Sequence, residues 1–305
     1  MSRSSDTMVA DVRRFNRLVT ERVGALNDHY LARDRPLGQA RVLWEIGTDG
    51  CDVRTLRSRL GMDSGYLSRL LRELEGAGLV VVEPSERDRR VRTARLTVGG
   101  VRERAVLDRR SDDLARSLLE PLPLAHRDRL VRAMGEVERL LTSAMVEIHR
   151  VDPADPRARF CVREYLAELD RRFSRGFDPG ASISADDDEL RPPRGLMLVA
   201  TLRDEPVGCG ALKFHRGAPA ELKRMWVAPS TRGLGIGRRL LAGLESEASR
   251  HGAKAIRLET NRSLAEAIAL YRSSGYEEVA AFNDEPYADH WFEKRLRRGA
   301  PRAAR

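Results

Sequence analysis

The spacing of apolar residues divides the chain into a helical first half and a second half in which strands and helices alternate. In the first half, apolar residues recur three and four positions apart, as they do on one face of a helix. Helices are predicted there at residues 6–32, 37–46, 53–60, 64–76 and 101–145. Pro121 and Pro123 break the last of these stretches in two, because proline cannot continue a helix.

In the second half, short apolar runs bounded by turn residues predict strands. These strands are predicted at residues 146–151, 196–202, 207–215, 221–227, 255–261, 277–282 and 290–296. Helices are predicted at residues 159–173, 236–248 and 264–271. The acidic segment 177–193 lacks periodicity and is predicted to be either a substrate loop or a solvated one. Because no long linker separates the two halves, the domain boundary is expected near residue 147.

The stretch from Glu221 to Ala248 combines a predicted strand, a glycine-rich turn and a helix. The strand stops at Ala228-Pro229, and the helical pattern begins at Ile236. A glycine turn before a helix N-terminus presents backbone N–H groups and a partial positive charge to a ligand. Arg232 and Arg238 would reinforce that charge. The stretch therefore predicts an anion-binding site.

Two common phosphate-binding motifs do not fit this turn. A Walker loop needs Lys and then Ser or Thr after the last glycine, and Arg238-Arg239 stand there instead. A dinucleotide fingerprint needs G-x-G-x-x-G, whereas the spacing here is G-x-G-x-G, although Glu259 lies at a plausible distance for its acidic residue. The spelling R-x-x-G-x-G at 232–237, followed by LETNRSLAEAIALYRSSGYEEV at 258–279, resembles two blocks of the GNAT acetyltransferase family.

The GNAT resemblance covers about residues 147–297 and implies an α+β mixed-sheet fold that transfers an acetyl group from acetyl-CoA directly to an amine. The implied cofactor contacts are backbone groups of Met225 and Val227 for the pantetheine, Arg232, Gly233, Leu234, Gly235, Ile236, Gly237 and Arg238 for the pyrophosphate, and Asn261 for a hydrogen bond to CoA. Tyr271 would protonate the leaving thiolate, and Glu221 is the candidate base, acting through water. Each also has a structural interpretation: Tyr271 as core, Glu221 as an exposed strand residue and Asn261 as a helix cap.

The first half contains two short predicted helices with a glycine between them, followed by an arginine-rich hairpin. Helices at 53–60 and 64–76 indicate either a helix-turn-helix or an ordinary helical hairpin. Strands predicted at 79–83 and 91–97 flank a charged tip, which is either a wing that enters a minor groove or a solvated turn. The order of these elements, with Leu96-Thr97 and Gly99 after them, resembles the winged-helix MarR family of transcription regulators over residues 6–145.

The MarR resemblance implies a surface that contacts double-stranded DNA. Ser64, Gly65, Tyr66, Ser68 and Arg69 would face the major groove, while Arg87, Arg89 and Arg90 would contact DNA from the wing. Asp88 would brace the wing. In that family the terminal helices form a homodimer, and a two-fold dimer matches a palindromic operator.

These resemblances predict three regions: a mainly α MarR-like winged-helix domain at 1–146, a GNAT-like domain at 147–297 and a disordered basic tail at 298–305. The net charge of +9 is distributed over both halves, so a nucleic-acid surface must be a local patch. Cys51, Cys161 and Cys209 are scattered, so we expect no disulfide framework, no metal site and a reducing cytoplasm. The first 15 residues contain no apolar core, and no apolar run approaches about 18 residues, so neither a signal peptide nor a membrane span is expected.

Three functions remain open on these grounds. The first is a bifunctional protein that binds DNA and acetylates an amine. The second is a regulator without catalysis, whose GNAT-like domain senses acetyl-CoA or an amine. The third is an acetyltransferase whose winged domain serves only dimerisation, and the arginine-rich wing disfavours it.

Overall fold

The computed structural model describes residues 5–25, 31, 35–85, 88–183 and 185–296. The chain divides into two compact units, residues 1–133 and 134–305. The division falls within a helix that spans Leu124–Ala144, so the predicted domain boundary near residue 147 stays a prediction. The tail predicted at 298–305 lies outside the described residues.

The first unit is mainly helical, with a small antiparallel sheet. Its elements in chain order are α1 (Ser5–Arg22), α2 (Leu37–Ile46), β1 (Cys51–Asp52), α3 (Val53–Leu60), α4 (Ser64–Gly76), β2 (Val80–Pro84), β3 (Arg92–Leu96), α5 (Val98–Leu119) and the start of α6 (Leu124–Ala144). The strands are ordered β1-β3-β2. The helix-turn-helix and the hairpin after it are therefore confirmed, as is the break between α5 and α6.

Side-chain caps define the helix-turn-helix. The Asp52 carboxylate accepts hydrogen bonds from the N–H groups of Arg54 and Thr55 at the start of α3. Gly61 closes α3 with a φ of 60°, a left-handed conformation that favours glycine. Asp63 caps α4 by accepting from the N–H of Tyr66. The two helices bury a leucine face, which contains Leu56, Leu67, Leu70, Leu71 and Leu74.

The first helix is shorter than the apolar pattern predicted. α1 ends at Arg22, whereas the prediction extended to residue 32. The chain turns at residues 23–25, where Gly24 has a φ of 67°. That conformation ends a helix because it breaks the sequence of i to i−4 hydrogen bonds. The rest of the predicted stretch, apart from Leu31, lies outside the described residues.

The second unit is a sheet with helices on both faces. After α6 its elements are β4 (Val146–Val151), α7 (Pro156–Arg172), β5 (Gly195–Leu202), β6 (Glu205–Lys213), β7 (Ala220–Val227), α8 (Ile236–Arg250), β8 (Ala255–Thr260), α9 (Ala265–Ser273), β9 (Glu277–Val279) and β10 (His290–Arg295). Helix α7 starts earlier than predicted because Asp155 caps it and a proline occupies its first turn. β9 is shorter than predicted because its partner β10 begins only at His290.

The sheet order is β4-β5-β6-β7-β8-β10-β9. All neighbours are antiparallel except β7 and β8, which are parallel and pair only at Ala220–Ile256 and Glu221–Arg257. Beyond these pairs the two strands separate toward their carboxyl ends. β7 also bulges opposite β6, and Arg224 there has a φ of 54°. The core on one face contains α8 and Tyr271, and that on the other contains α7. The parting of β7 and β8 opens the sheet beside α8.

Candidate active site and nucleic-acid interface

The glycine turn predicted from the sequence leads directly into α8. Gly233 and Gly235 have φ values of 83° and 75°, which non-glycine residues rarely adopt, and Gly235 is the N-cap residue. A Cβ at either glycine would meet no atom within 4 Å, so the turn faces open space. The first N–H groups of α8 have no intrahelical acceptors, so they can bind an anion in that space.

A cavity of about 520 Å³ lies at this turn, within the usual size range of cofactor sites. Of the predicted cofactor residues, those that line it are Met225, Val227, Arg232, Gly233, Gly235, Ile236, Gly237 and Arg238. The structure does not bring Leu234 and Asn261 into this lining. Leu234 packs against the core, and Asn261 lines an adjoining cavity. The open turn and the largely apolar lining fit a pyrophosphate with an attached pantetheine.

One contact at this cavity was missed by the sequence analysis. The Arg232 guanidinium donates to both carboxylate oxygens of Glu168 on α7, at 2.7 and 2.6 Å. Trp226 Nε1 also donates to Glu168 at 3.0 Å, and Arg172 donates at 3.1 Å. Burial would raise the pKa of Glu168, but the bonds from Arg232 and Arg172 outweigh it and lower that pKa. Glu168 precedes Arg232 by 64 residues, so no local pattern connects them.

A second cavity of about 100 Å³ adjoins the first, where β7 and β8 separate. The two cavities share five lining residues, Tyr165, Leu169, Met225, Leu264 and Ala267. The second cavity adds polar groups from Lys223, Glu259, Asn261 and Glu285, and aromatic rings from Phe173, Phe177, Tyr271 and Tyr287. A group bound along the first cavity can therefore reach a partner bound in the second.

Tyr271 is part of the core and also lines the second cavity, and its role as proton donor stays a prediction. Its side chain is buried, and its ring lies 5.9 Å from that of Tyr276 and 6.1 Å from that of Phe292. Burial raises the pKa of Tyr271, and the nearby Tyr165 and Glu259 raise it further. The phenol is therefore protonated at neutral pH and has a proton to donate.

Glu221 is buried rather than an exposed strand residue. Its Oε1 accepts from Arg257 at 2.7 Å and lies 3.3 Å from His215 Nε2, while its Oε2 lies 3.6 Å from Lys223 Nζ. Burial acts to raise the pKa of Glu221, but these cationic neighbours outweigh it and lower that pKa. Glu221 is not among the described residues that line the two cavities. Its role as base stays a prediction.

Asn261 follows β8 and joins two loops. Its Nδ2 donates to the Tyr287 carbonyl at 2.7 Å, and its Oδ1 accepts from the N–H of Ser263 at 2.9 Å. The N-cap residue of α9 is Leu264, so Asn261 shapes the turn before that helix rather than capping it. Its predicted bond to CoA stays a prediction.

The predicted DNA-facing residues of α4 are exposed together. Ser64, Gly65, Tyr66, Ser68 and Arg69 all lie on the solvent side of the helix, opposite its leucine face. The Arg69 guanidinium lies 5.2 Å from the centre of the Tyr66 ring. This arrangement leaves the first two turns of α4 free to enter a groove.

The wing brings further arginines to the same surface. In the wing, Asp88 Oδ1 accepts from the N–H of Arg90 at 2.9 Å, so Asp88 holds the turn. Arg89 and Arg90 are exposed, and Arg87 lies outside the described residues. A groove of about 270 Å³ beside the start of α4 is lined by Arg54, Arg57, Arg90 and Arg92, together with Ser64 and Ser68.

Arg54 and Arg57 on α3 were missed by the sequence analysis. Their spacing of three residues places both on one face of a short helix, which was the available signal. No described group of three or more His, Cys, Asp or Glu residues could hold a metal ion. Among the described helices, none combines the length and the apolar character that a membrane crossing requires.

The fold and the two cavities define a CoA-dependent acyltransferase fused to a winged helix-turn-helix. Family models match residues 163–276 as "Acetyltransferase (GNAT) family" and residues 34–91 as "MarR family". The chain belongs to the GNAT acetyltransferase family and carries a MarR-family domain in its first unit. It is therefore an acyltransferase with a DNA-binding domain typical of regulators, and the fusion expected from the sequence is confirmed.

The similar proteins match between about two fifths and one half of the chain. The chain is 39% identical to an IAA acetyltransferase from Azospirillum brasilense over 127 residues, which are 41% of this chain and 82% of that protein. It is 32% identical to an uncharacterized N-acetyltransferase from Schizosaccharomyces pombe, covering 42% of this chain and 79% of that one. A GNAT acetyltransferase structure from Staphylococcus aureus matches with a TM-score of 0.43 and 17% identity, over 50% of this chain and 99% of that one.

Proposed function

We propose that the protein is a dimeric DNA-binding regulator that also acetylates an amine directly from acetyl-CoA. The proposed domains are residues 1–146 for DNA binding and dimerisation and residues 147–297 for acetyl transfer. The observation that supports the enzymatic part is the pair of adjoining cavities at the separation of β7 and β8. One fits an elongated anionic cofactor, and the other offers a buried phenol and carboxylates at its end.

The cofactor would be held mainly by the backbone. The N–H groups at the start of α8, from Gly235 onward, bind the pyrophosphate, and the exposed Arg238 adds charge at the mouth. Arg232 is fixed by Glu168, so its guanidinium edge is presented in one orientation. The pantetheine lies along Met225 and Val227, toward the second cavity. Holding both reactants in this way makes the reaction effectively intramolecular.

In the reaction, the amine nitrogen attacks the thioester carbonyl, and the C–N bond forms as the C–S bond breaks. The leaving thiolate takes a proton from Tyr271, whose phenol stays protonated because burial raises its pKa. Glu221 is the candidate acceptor for a proton from the amine, through water, since its carboxylate is bound to Arg257 and does not line the cavity.

The regulatory part rests on the arginine-lined groove and on apolar faces that this chain leaves exposed. In α1 the exposed large apolar residues are Met8, Val9, Val12, Phe15, Leu18 and Val19. In α6 they are Leu124, Val131, Met134, Val137, Leu140 and Leu141. Apolar stripes of this size on terminal helices fit a homodimer, and two copies of α4 then fit a palindromic operator.

The experiment that tests the enzymatic proposal is calorimetric titration with acetyl-CoA, CoA and NAD, followed by an assay of thiol release with a panel of amines. Micromolar binding of acetyl-CoA without NAD binding, and turnover with at least one amine, is the expected result. Absence of acetyl-CoA binding contradicts the proposal. Tyr271→Phe should reduce turnover but retain acetyl-CoA binding. A regulator without catalysis would instead show DNA affinity that depends on acetyl-CoA, and no turnover in wild type or in Tyr271→Phe.

A further inference from the structure

Glu259 has one carboxylate oxygen that no protein group satisfies. Its Oε1 accepts a hydrogen bond from Lys223 Nζ. Its Oε2 is buried and has no hydrogen-bond partner among the described residues, and the side chain as a whole is only 10% exposed. A buried carboxylate oxygen without a donor is costly, so such an atom in a cavity indicates a ligand that donates to it. Glu259 lines the second cavity.

The wall of the second cavity has few uncompensated positive charges. Lys223 is bound by Glu259 and approached by Glu221, and Arg224 donates to Asp187 at 3.2 Å and to the Ala185 carbonyl at 2.5 Å. Both cations in the lining are therefore paired, whereas Glu285 in the same lining forms no ion pair among the described residues. A cationic group is therefore favoured inside the cavity.

A second buried carboxylate, Glu285, holds the loop that carries part of this wall. It accepts from the Ser182 hydroxyl at 3.0 Å, from the Ile183 N–H at 2.6 Å and from the Tyr287 N–H at 3.3 Å. Its bonds connect the segment 182–183 to the segment 285–287. The ring of Tyr287 is thus fixed at the cavity rather than free in solvent.

Three aromatic rings form a cluster in the lining of the same cavity. Phe173 lies 5.7 Å from Phe177 and 5.7 Å from Tyr287, and the last two lie 4.8 Å apart. All three side chains are half-buried, so part of each ring is available to a ligand. The cavity volume of about 100 Å³ is smaller than the roughly 150 Å³ that admits benzene. It therefore encloses a small head group, and the ligand body lies against the rings.

We propose that the second cavity takes the amino group of a small aromatic primary amine, with its ammonium on Oε2 of Glu259 and its ring against the exposed parts of Phe173, Phe177 and Tyr287. This inference rests on the proposed acetyltransferase function and names its substrate class. It makes Glu259, rather than the more distant Glu221, the carboxylate that contacts the reacting nitrogen. Glu221 then lies behind Lys223 and positions that lysine.

The proton balance follows from this placement. The ammonium gives one proton to Oε2 of Glu259, and the neutral nitrogen attacks the acetyl carbon. The C–N bond forms and the C–S bond breaks, and the thiolate takes a proton from Tyr271. The second proton of the attacking nitrogen restores Tyr271, and Glu259 releases its proton to solvent. One ammonium and one thioester yield one amide, one thiol and one released proton.

The test compares 2-phenylethylamine with ethylamine in wild type, Glu259→Gln and Glu245→Gln. Glu245 makes the matched pair with Lys294, at 2.7 Å, and lies outside both cavities. We expect wild type to prefer 2-phenylethylamine over ethylamine at least 10-fold in kcat/KM. Glu259→Gln should reduce that kcat/KM at least 100-fold, while Glu245→Gln leaves it unchanged.

A binding measurement separates this inference from the function on which it rests. Calorimetry with 2-phenylethylamine in the presence of CoA should show an affinity at least 10-fold weaker in Glu259→Gln, with acetyl-CoA affinity unchanged. Unchanged amine affinity in Glu259→Gln, or equal use of ethylamine, overturns the inference and leaves acetyl transfer standing. Loss of acetyl-CoA binding by wild type overturns the proposed function itself. If the enzyme acetylates only peptide N-termini or lysine side chains, the proposal of a small aromatic amine as substrate is also overturned.

Discussion

The two units each present a surface suited to an anion, and they build it from different groups. In the first unit the groove beside α4 is lined by arginine side chains, and Arg54, Arg57 and Arg90 form no ion pair with a described carboxylate. In the second unit Arg232 is already bound to Glu168, and Arg239 donates to the Ser143 and Val146 carbonyls. Apart from the exposed Arg238, the groups left to face a ligand there are backbone N–H groups at a helix N-terminus.

This difference predicts different responses to salt and to small changes of shape. Exposed arginines act through long-range charge, which is screened beyond about 10 Å at 0.1 M salt. Backbone donors in a cavity act only at hydrogen-bond distance and depend on the conformation of the turn. Ligand affinity at the arginine groove should therefore depend strongly on charge and weakly on small changes of backbone conformation. Affinity at the glycine turn should depend weakly on charge and strongly on backbone conformation.

The largest effect is expected on DNA binding. We predict that replacing Arg54, Arg57 and Arg90 together with alanine weakens binding to a duplex of about 30 base pairs at least 100-fold, or about 2.7 kcal/mol. The slope of log affinity against log salt should fall by about 0.9 for each phosphate that the variant no longer neutralises. Fluorescence anisotropy between about 50 and 200 mM salt measures both quantities.

Arg116 provides the control for this experiment. It is exposed on α5 and lies about 27 Å along the helix from Val98, at 1.5 Å per residue. Arg116→Ala removes one positive charge without touching the groove, so its slope should match wild type. A loss of binding free energy in Arg116→Ala that is about one third of the loss in the triple variant would mean that only net charge matters, and the groove would not have its assigned role.

The two surfaces also differ in how much of them the sequence predicted. Exposure of Ser64, Tyr66 and Arg69 follows from the leucine period of α4, because the exposed face of a helix is the complement of its apolar face. The turn at Gly233 and Gly235 follows from glycine spacing after a strand. These features are local, and short-range patterns are sufficient to predict them.

Interactions between distant segments could not be predicted in this way. Glu168 meets Arg232 across 64 residues, and Glu221 meets Arg257 across 36. Both pairs depend on how β7 lies relative to α7 and β8, which apolar spacing does not encode. The same reason explains the outcome for Glu221. Its alternative interpretation was an exposed strand residue, but it is buried beside Arg257 and Lys223. The end of α1 was misplaced because one glycine outweighed a continuing apolar pattern.

A second prediction concerns the ion pair between Glu221 and Arg257 and its contribution to the free energy of unfolding. Glu221 has a lowered pKa, so its ionised form stabilises the fold at pH values above about 4.5, and this contribution is lost as the pH falls through the lowered pKa. Glu221→Gln should cost about 2 kcal/mol in unfolding free energy at neutral pH, because Arg257 loses a charged partner. The difference between the two proteins should shrink as the pH falls below about 4.5.

Urea unfolding followed by tryptophan fluorescence measures this difference. A Trp44→Phe background leaves Trp226 and Trp291, which both belong to the second unit. Glu205→Gln on the same sheet is the control, because Glu205 is exposed, and it should change stability by less than about 0.5 kcal/mol at any pH. A cost for Glu221→Gln that is independent of pH would show that the carboxylate charge is not the cause.

The smallest effect is expected from a single methyl group in the glycine turn. Gly235→Ala and Gly252→Ala place a Cβ at φ values of 75° and 81°, and neither Cβ would meet an atom within 4 Å. Both changes should therefore cost a similar amount of stability, about 1–2 kcal/mol for a left-handed residue. Gly235 lines the cofactor cavity, whereas Gly252 follows the other end of α8 and does not. Calorimetry should show acetyl-CoA affinity lowered about 10-fold, or 1.4 kcal/mol, in Gly235→Ala alone. Equal affinities in the two variants would mean that the ligand does not approach the turn, and the backbone N–H groups of α8 would then not be the anion site.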